Sequence, residues 1–425
     1  MKSLRLPKSL FAAALSLLFS SALVADVWVA TTGSDDTGTG LRDNPYLTIG
    51  KALSTLGDDG GTIWLENGEY GVTATVELTT PVTIRSVSGS PEDVTVRRTS
   101  GDISVVKLNC ATARLLDVTV AYGGPKISGA HVYIASSGGV DEHCIIRNGN
   151  SSGQYGKGGA NIYMKAGIVT RCVIKDGTAN YSGGGGGVWM SGGQVENSLI
   201  VGNLAGSENS ATYSGDDGGG VHLTNPAAKL VNCTIVANRG NTSPGVRVDY
   251  DTKTKAPKGT VANCVIVDNL TMKGAWDFSN VGGVKESAEA FVNCVTDARI
   301  AQPNATCLGA PYAFVDRGAR NYRLNAASSA VDAGTSVELY SNLDLDGNPR
   351  VSGSAIDAGC YEFQQGAAAI SVGVMDEEIL VDEAVSFKVA SVGATDGAVV
   401  WDFGDGEPAE CPRGRRPSKR GGSKE

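Results

Sequence analysis

Five stretches decide the architecture of this chain: VTRCVIKDG (169–177), VENSLIVGN (195–203), LVNCTIVAN (230–238), VANCVIVDN (261–269) and FVNCVTDAR (291–299). Two looser copies, LLDVTVAYGG (115–124) and VDEHCIIRNG (140–149), precede them. Aligned, the copies place Val118, Cys144, Cys172, Ser198, Cys233, Cys264 and Cys294 in one column, at steps of 26, 28, 26, 35, 31 and 30 residues. Two residues on, Val120, Ile146, Ile174, Ile200, Ile235, Ile266 and Thr296 form another. Alternation with a period of two marks a strand with one buried face. A second strand precedes the first in several copies: HVYIAS (131–136), NIYMKA (161–166), GVWMSG (187–192) and GVHLTN (220–225). Glycine runs at 183–187 and 218–220 introduce the later ones, and glycine permits the positive-φ corners that join short strands. Short strands, glycine corners and a period of this length stack into a solenoid. The expected fold is all-β, a right-handed parallel β-helix.

Composition agrees. Of 425 residues 57 are Gly, 41% are hydrophobic and 19% charged, apolar enough for a core and too poor in charge for a disordered chain. There is no Gly-X-Y period, so collagen is excluded. The formal charge of −9 argues against nucleic acid as a partner, since phosphate contacts need basic surface. Beyond residue 25 no apolar run is long enough to span a membrane.

Asn197, Asn232, Asn263 and Asn293 make one asparagine column, and Asn203, Asn238 and Asn269 another. Stacked amides can hydrogen-bond along a solenoid, so both columns read as structural. The cysteine column reads as buried thiols. Adjacent coils hold parallel Cβ atoms about 4.8 Å apart, wider than a disulfide prefers. Ser198 and Val118 in the same column show that a small side chain suffices there.

At the N-terminus Lys2, Arg5 and Lys8 precede an apolar stretch, Ser9 to Ala25, that ends in small residues. Residues 1–25 read as a secretory signal peptide, the alternative being an anchor that is never cut. Residues 45–56, PYLTIGKALSTL, space Leu47, Ile49, Ala52, Leu53 and Leu56 like a short amphipathic helix that could cap the open end of the coil. The run VWVATTGSDDTGTGLRDNPYLTIGKAL (27–53) resembles the start of secreted bacterial β-helix proteins of the pectin-lyase-like superfamily. YRLNAASSAVDAGT (322–335) and DLDGNPRVSGSAIDAGCYEF (344–363) are similar to the closing segment of such proteins. The Gly-Gly-Gly-Val and Ile-Val-x-Asn strands look like repeats of polymorphic outer-membrane proteins. These resemblances imply a β-helix over 26–366. Within 367–410, Trp401-Asp402-Phe403-Gly404-Asp405-Gly406 looks like the signature of the PKD domain, an immunoglobulin-like β-sandwich. Only half of the roughly seven strands of such a sandwich fit there, so the module is expected to be incomplete. Residues 411–425 have no apolar period and carry a local charge of +5, reading as a disordered basic tail from truncation or frameshift, or as a functional one.

Parallel β-helices host polysaccharide lyases and hydrolases, which need a carboxylate cluster. In a lyase it would hold Ca²⁺ beside an Arg or Lys base. In a hydrolase it would be a carboxylate pair. The candidates are Asp216 and Asp217 in a glycine-rich corner before His222, with Arg247, Asp249 and Asp251 one coil later. Lys165, Arg171 and Lys175 lie earlier, and adjacent aspartates in a turn are also ordinary turn formers. Counted as a calcium loop, Asp344 to Asn348 leads to Pro349 where the loop needs glycine at position six and to Ala355 where it needs glutamate at position twelve, so it reads as a tight turn; His131, His143 and His222 lack metal-ligand spacing and read as surface residues. No metal site is expected.

Counting nine residues back from the cysteine column, Tyr163 and Trp189 fall on successive coils, flanked by Ala135 and Thr224. Exposed there, the two rings could offer a flat face to sugars with Lys165 meeting an acidic group; stacked on each other, they would only stiffen the coil. Two functions stay open. One is a monomeric, exported, cell-surface or secreted scaffold that binds a polysaccharide or surface glycan without catalysis. The other is a lyase or hydrolase of an acidic polysaccharide; no cofactor is fixed by the sequence, and Ca²⁺ would enter with the lyase.

Overall fold

The computed structural model describes residues 25–124, 131–151, 158–179, 184–206, 218–240, 243–271, 281–282, 285–297, 306–309 and 313–364, and the strands Ala369–Val374, Phe387–Val392, Val399–Trp401 and Ala409–Cys411. Three long parallel sheets wind around one core. The first, ten strands, runs from Ala25–Val29 to Phe291–Val292; the second, eight strands, from Val76–Leu78 to Val281–Gly282; the third, nine strands, from Gly68–Val72 to Val295–Thr296. A short five-stranded sheet, Asn150–Ser151 to Leu270–Thr271, turns the corner from the third sheet back to the second. The fold is the expected right-handed parallel β-helix.

The isoleucine column is in register rung by rung, Val120 on Ile146, then Ile174, Ile200, Ile235, Ile266 and Thr296. In the first sheet the inward column reads Ile63, Ile84, Leu115, Asp141, Val169, Val195, Leu230, Val261 and Phe291. All are buried, and each apolar one contributes roughly 1.5–3 kcal/mol by leaving water. Asp141 breaks the pattern.

The corner between the first and third sheets explains the cysteine column. Asp117, His143, Arg171, Asn197, Asn232, Asn263 and Asn293 all adopt the left-handed conformation, with φ between 48° and 56°. Asparagine tolerates it better than most side chains. The next residue then turns inward, where only a small side chain fits, and where it carries a thiol or hydroxyl it donates to the corner carbonyl. Cys264 Sγ donates to Ala262 O at 3.2 Å, and Ser198 Oγ donates to Glu196 O at 2.6 Å. Every cysteine from Cys110 to Cys360, eight in all, is a free thiol. Cys307, which the repeat alignment missed, buries its thiol beside Phe291 O, and Leu308 after it bridges Val295.

The two asparagine columns differ. Asn203 Nδ2 donates to Asn238 Oδ1 at 2.9 Å and Asn238 Nδ2 to Asn269 Oδ1 at 3.0 Å, a continuous amide ladder. Asn161 extends it, donating to Asn203 Oδ1 at 3.0 Å; a Cβ on Gly177 would sit 2.6 Å from its amide nitrogen, so that glycine makes room for it. The corner asparagines mostly hold a strap instead. After Thr335 the chain runs back along the coils. Asn263 donates to Thr335 O at 2.8 Å, Asn293 to Thr335 Oγ1 at 3.0 Å and Asn197 to Ser341 O at 3.0 Å. Residues 314–361 then cover the outer face of the third sheet, where Leu199, Val201, Val236, Val265, Val267 and Val295 pack against Phe314, Tyr322, Leu324, Leu345, Cys360 and Tyr361.

At the other end Ile49–Leu56 is a helix capped by Thr48, whose Oγ1 accepts Lys51 N–H. Ile49, Ala52 and Leu56 join the core beside Val27 and Val29, whereas Leu47 precedes the helix and is exposed. Beyond the β-helix, Ala369–Val374 pairs antiparallel with Phe387–Val392, and Val399–Trp401 with Ala409–Cys411. The stretch to residue 24 that reads as a signal peptide, Asp402 to Gly406 and the tail from 412 lie outside the described residues.

Candidate functional site

The outward column of the second sheet carries the candidate site. Its rungs run Glu77, Lys107, Tyr133, Tyr163, Trp189, His222, Arg247 and Gly282. Tyr163 and Trp189 are adjacent, as the sequence suggests, but their flanking rungs are Tyr133 and His222 rather than Ala135 and Thr224. The turns after Ile134 and after Leu223 are two residues longer than those after Met164 and Met190, so a fixed count from the cysteine corner slips there. Counting from the strand itself would have found Tyr133 and His222.

The rings form one ladder. Tyr133 and Tyr163 stack with centroids 5.2 Å apart and planes 17° apart; Tyr163 and Trp189 stack at 4.4 Å and 4°. His222 then meets Trp189 edge-on at 6.5 Å. Rungs of a solenoid are spaced along its axis by about 4.8 Å, so rings stacked this closely stand perpendicular to the axis. Their faces are spent on one another, and only edges point outward. Tyr163 is 4% exposed, not the open platform that a sugar-stacking role requires, and burial pushes its phenol up to about 12. Cations border the ladder. The ammonium groups of Lys107 and Lys165 lie 5.9 Å and 5.7 Å from the Tyr133 ring, and Lys107 pairs with Glu77 at 2.7 Å. Such contacts contribute about 0.5–1 kcal/mol at exposed sites.

At the far end two of the sequence candidates come together with a histidine read as a surface residue. His222 is buried by the stack and lies 2.9 Å from Asp249 Oδ1 through Nε2; Arg247 Nε donates to the same oxygen at 3.1 Å. Burial of Asp249 would raise its pKa, but the His222 hydrogen bond and the Arg247 charge outweigh it and hold the carboxyl below the usual range. Asp251 turns away, accepting Lys253 and Thr254 N–H in a hairpin. Asp216 and Asp217 lie outside the described residues.

The other histidines also differ from simple surface positions. His131 is fully buried, and His143 is part-buried, with Nδ1 2.8 Å from Asp117 Oδ1. Asp344 closes the expected tight turn, its carboxylate accepting Asn348 and Glu362 N–H. Among the described residues no three metal-ligating side chains cluster, and no helix is long and apolar enough to cross a membrane.

No family model matches the chain, and no curated protein matches it in sequence. Similar solved structures include pectate lyase Pel9A, at 16% identity and TM-score 0.49 over 80% of this chain and 97% of that one. Pectin methylesterase PemA from Erwinia chrysanthemi aligns at 10% identity and TM-score 0.40, over 68% of this chain and 90% of its own. A pectin methylesterase from Aspergillus niger aligns at 16% and 0.35, over 68% and 92%. These are loose likenesses of shape; the strand register above carries the fold on its own.

Proposed function

We propose that this chain is an exported, monomeric β-helix protein of the cell surface or surroundings that holds a glycan along the ridge from Lys107 to Arg247 without cleaving it. The observation behind this reading is the unbroken outward column with cations at both ends. With ring faces occupied, the ridge meets a glycan through positively polarised ring edges and through Lys107, Lys165 and Arg247. On a chain of net charge −9 those cations select locally for an acidic group. Cleavage of residues 1–25 on export, and a partial PKD-like module at 367–410, belong to the same proposal.

The contact of His222, Arg247 and Asp249 favours a second reading, a lyase or hydrolase of an acidic polysaccharide. Asp249 would be the ionised carboxylate, and Asp216 and Asp217 would complete a Ca²⁺ site. One experiment separates the two. The full chain is incubated, with and without Ca²⁺, with acidic and neutral polysaccharides, and unsaturated ends, reducing ends and retention are scored. Retention without new ends is expected. Calcium-dependent cleavage would favour the second reading, and neither retention nor cleavage would remove both.

A further inference from the structure

Two buried ionisable groups on one coil have no role in the ridge. His131 immediately precedes the strand Val132–Ile134, and Asp141 sits in the next strand, Val140–Glu142; both have zero exposure. The hydrogen bonds fix the imidazole's form. Asn161 Nδ2 donates to Lys175 O at 2.9 Å and to Asn203 Oδ1 at 3.0 Å, so Asn161 Oδ1 is the acceptor for Gly149 N–H at 2.9 Å and for His131 Nδ1 at 3.0 Å. Nδ1 therefore carries the proton, and Nε2 is a bare lone pair with no partner.

Asp141 occupies an inward rung between Leu115 and Val169, and its Oδ2 has no partner. The titratable groups facing it are two thiols, Cys144 and Cys172, the latter 4.0 Å from Oδ1. Glu142 next to it is taken up outside by Arg114 and Arg171. Among the described residues the charge acting on His131 is Arg98, which is bound to Tyr122 O and Gly101 O. Among the described residues neither site has a counter-charge, so each group is held neutral, because an unpaired charge there would be costly.

We propose that His131 and Asp141 are an opposed pair that keeps this coil's resistance to opening level across mildly acidic pH, each cancelling the slope that the other would impose alone. Burial pushes His131 down to about 3, so an opened coil takes up a proton that the closed coil refuses, and opening is favoured as pH falls from about 6.5 towards 3. Burial pushes Asp141 up to about 7, so an opened coil releases a proton, and opening is favoured as pH rises from about 4 to 7. Between about pH 4 and 6.5 both effects run at roughly tenfold per pH unit with opposite sign.

The test is hydrogen exchange of the full chain, read over 131–147 and corrected for intrinsic rates, at several values between pH 4.5 and 6.5, with 234–236 as the control. In the wild type the opening constant should change by less than about threefold. Asp141→Asn should make the coil open about tenfold more for each unit of acidification, and His131→Gln about tenfold more for each unit of rise. The double variant should be level again. If either single variant does not fold, Asp141→Val, which copies the residue of the next rung, or His131→Asn replaces it. A steep wild type, or single variants as level as the wild type, would overturn the proposal.

Discussion

The carboxylate of Glu196 accepts the backbone N–H of Ser341 at 2.9 Å across 145 residues of sequence. It also accepts Tyr340 N–H at 3.0 Å, Thr170 Oγ1–H at 3.0 Å and Gln194 Nε2–H at 2.6 Å. The fully buried carboxyl group is thus surrounded by donors, two of them from the strap. Glu196→Gln puts an amide donor against those N–H groups. A loss of about 2–3 kcal/mol is expected, seen in urea unfolding and as protease cleavage opening up between residues 330 and 345.

Breaking the amide ladder should cost as much. Asn238 Oδ1 accepts both Asn203 N–H and Asn203 Nδ2–H, each at 2.9 Å, and its own amide donates to Ile200 O and Asn269 Oδ1. Asn238→Ala orphans groups on both neighbouring rungs and should destabilise by about 2–4 kcal/mol, with hydrogen exchange quickening at Asn203 and Asn269.

Ridge variants separate binding from stability. Trp189→Ala removes a ring stacked on Tyr163 and should cost about 3 kcal/mol, with loss of near-ultraviolet circular dichroism from the coupled rings. Lys165→Met leaves the exposed stem and removes only the charge. It should keep the unfolding midpoint and weaken glycan retention several-fold, more so at low salt.

Tyr163 makes the ladder sensitive to alkali. Its raised phenol favours the neutral folded form, so its contribution is complete below the ordinary tyrosine value near 10 and is lost as pH rises towards about 12. Burial also raises the phenols of Tyr70, Tyr322 and Tyr361, so absorbance titration of Tyr163→Phe should show one late-ionising tyrosine fewer than the wild type.

The cysteine corner should accept serine and refuse bulk. Cys264→Ser repeats what Ser198 already does and should cost at most about 1 kcal/mol, whereas Cys264→Leu overpacks a buried corner by about 1–3 kcal/mol. Burial raises the Cys264 thiol well above its ordinary value, so thiol reagents should modify it only in denaturant.

Columns of like residues were legible because identical backbone corners demand identical chemistry: the isoleucines and the Asn203–Asn269 ladder follow from spacing alone. The ridge was half legible. Tyr163 and Trp189 share short turns, while Tyr133 and His222 sit behind turns two residues longer, a change that does not disturb the core and so leaves no apolar mark. Asp141 was hidden for another reason, since alternation places it inward and composition gives no hint that an acid would be tolerated there. The strap was visible as a closing segment, but its path depended on hydrogen bonds to Glu196 and Asn197 that no local pattern announces.

The route of that strap has a mechanical consequence. Cys360 N–H is donated to Thr234 Oγ1 at 3.1 Å, on the seventh of the third sheet's nine strands, so the chain leaves the solenoid from its side rather than past the last strands of the core at Phe291 and Val295. A pull on the segment that follows Gln364 would be borne first by the strap, loading its contacts with Leu199, Val236 and Val265 in shear. The coils beneath would feel tension only after it peeled away, which makes residues 314–363 the mechanical fuse of the rod.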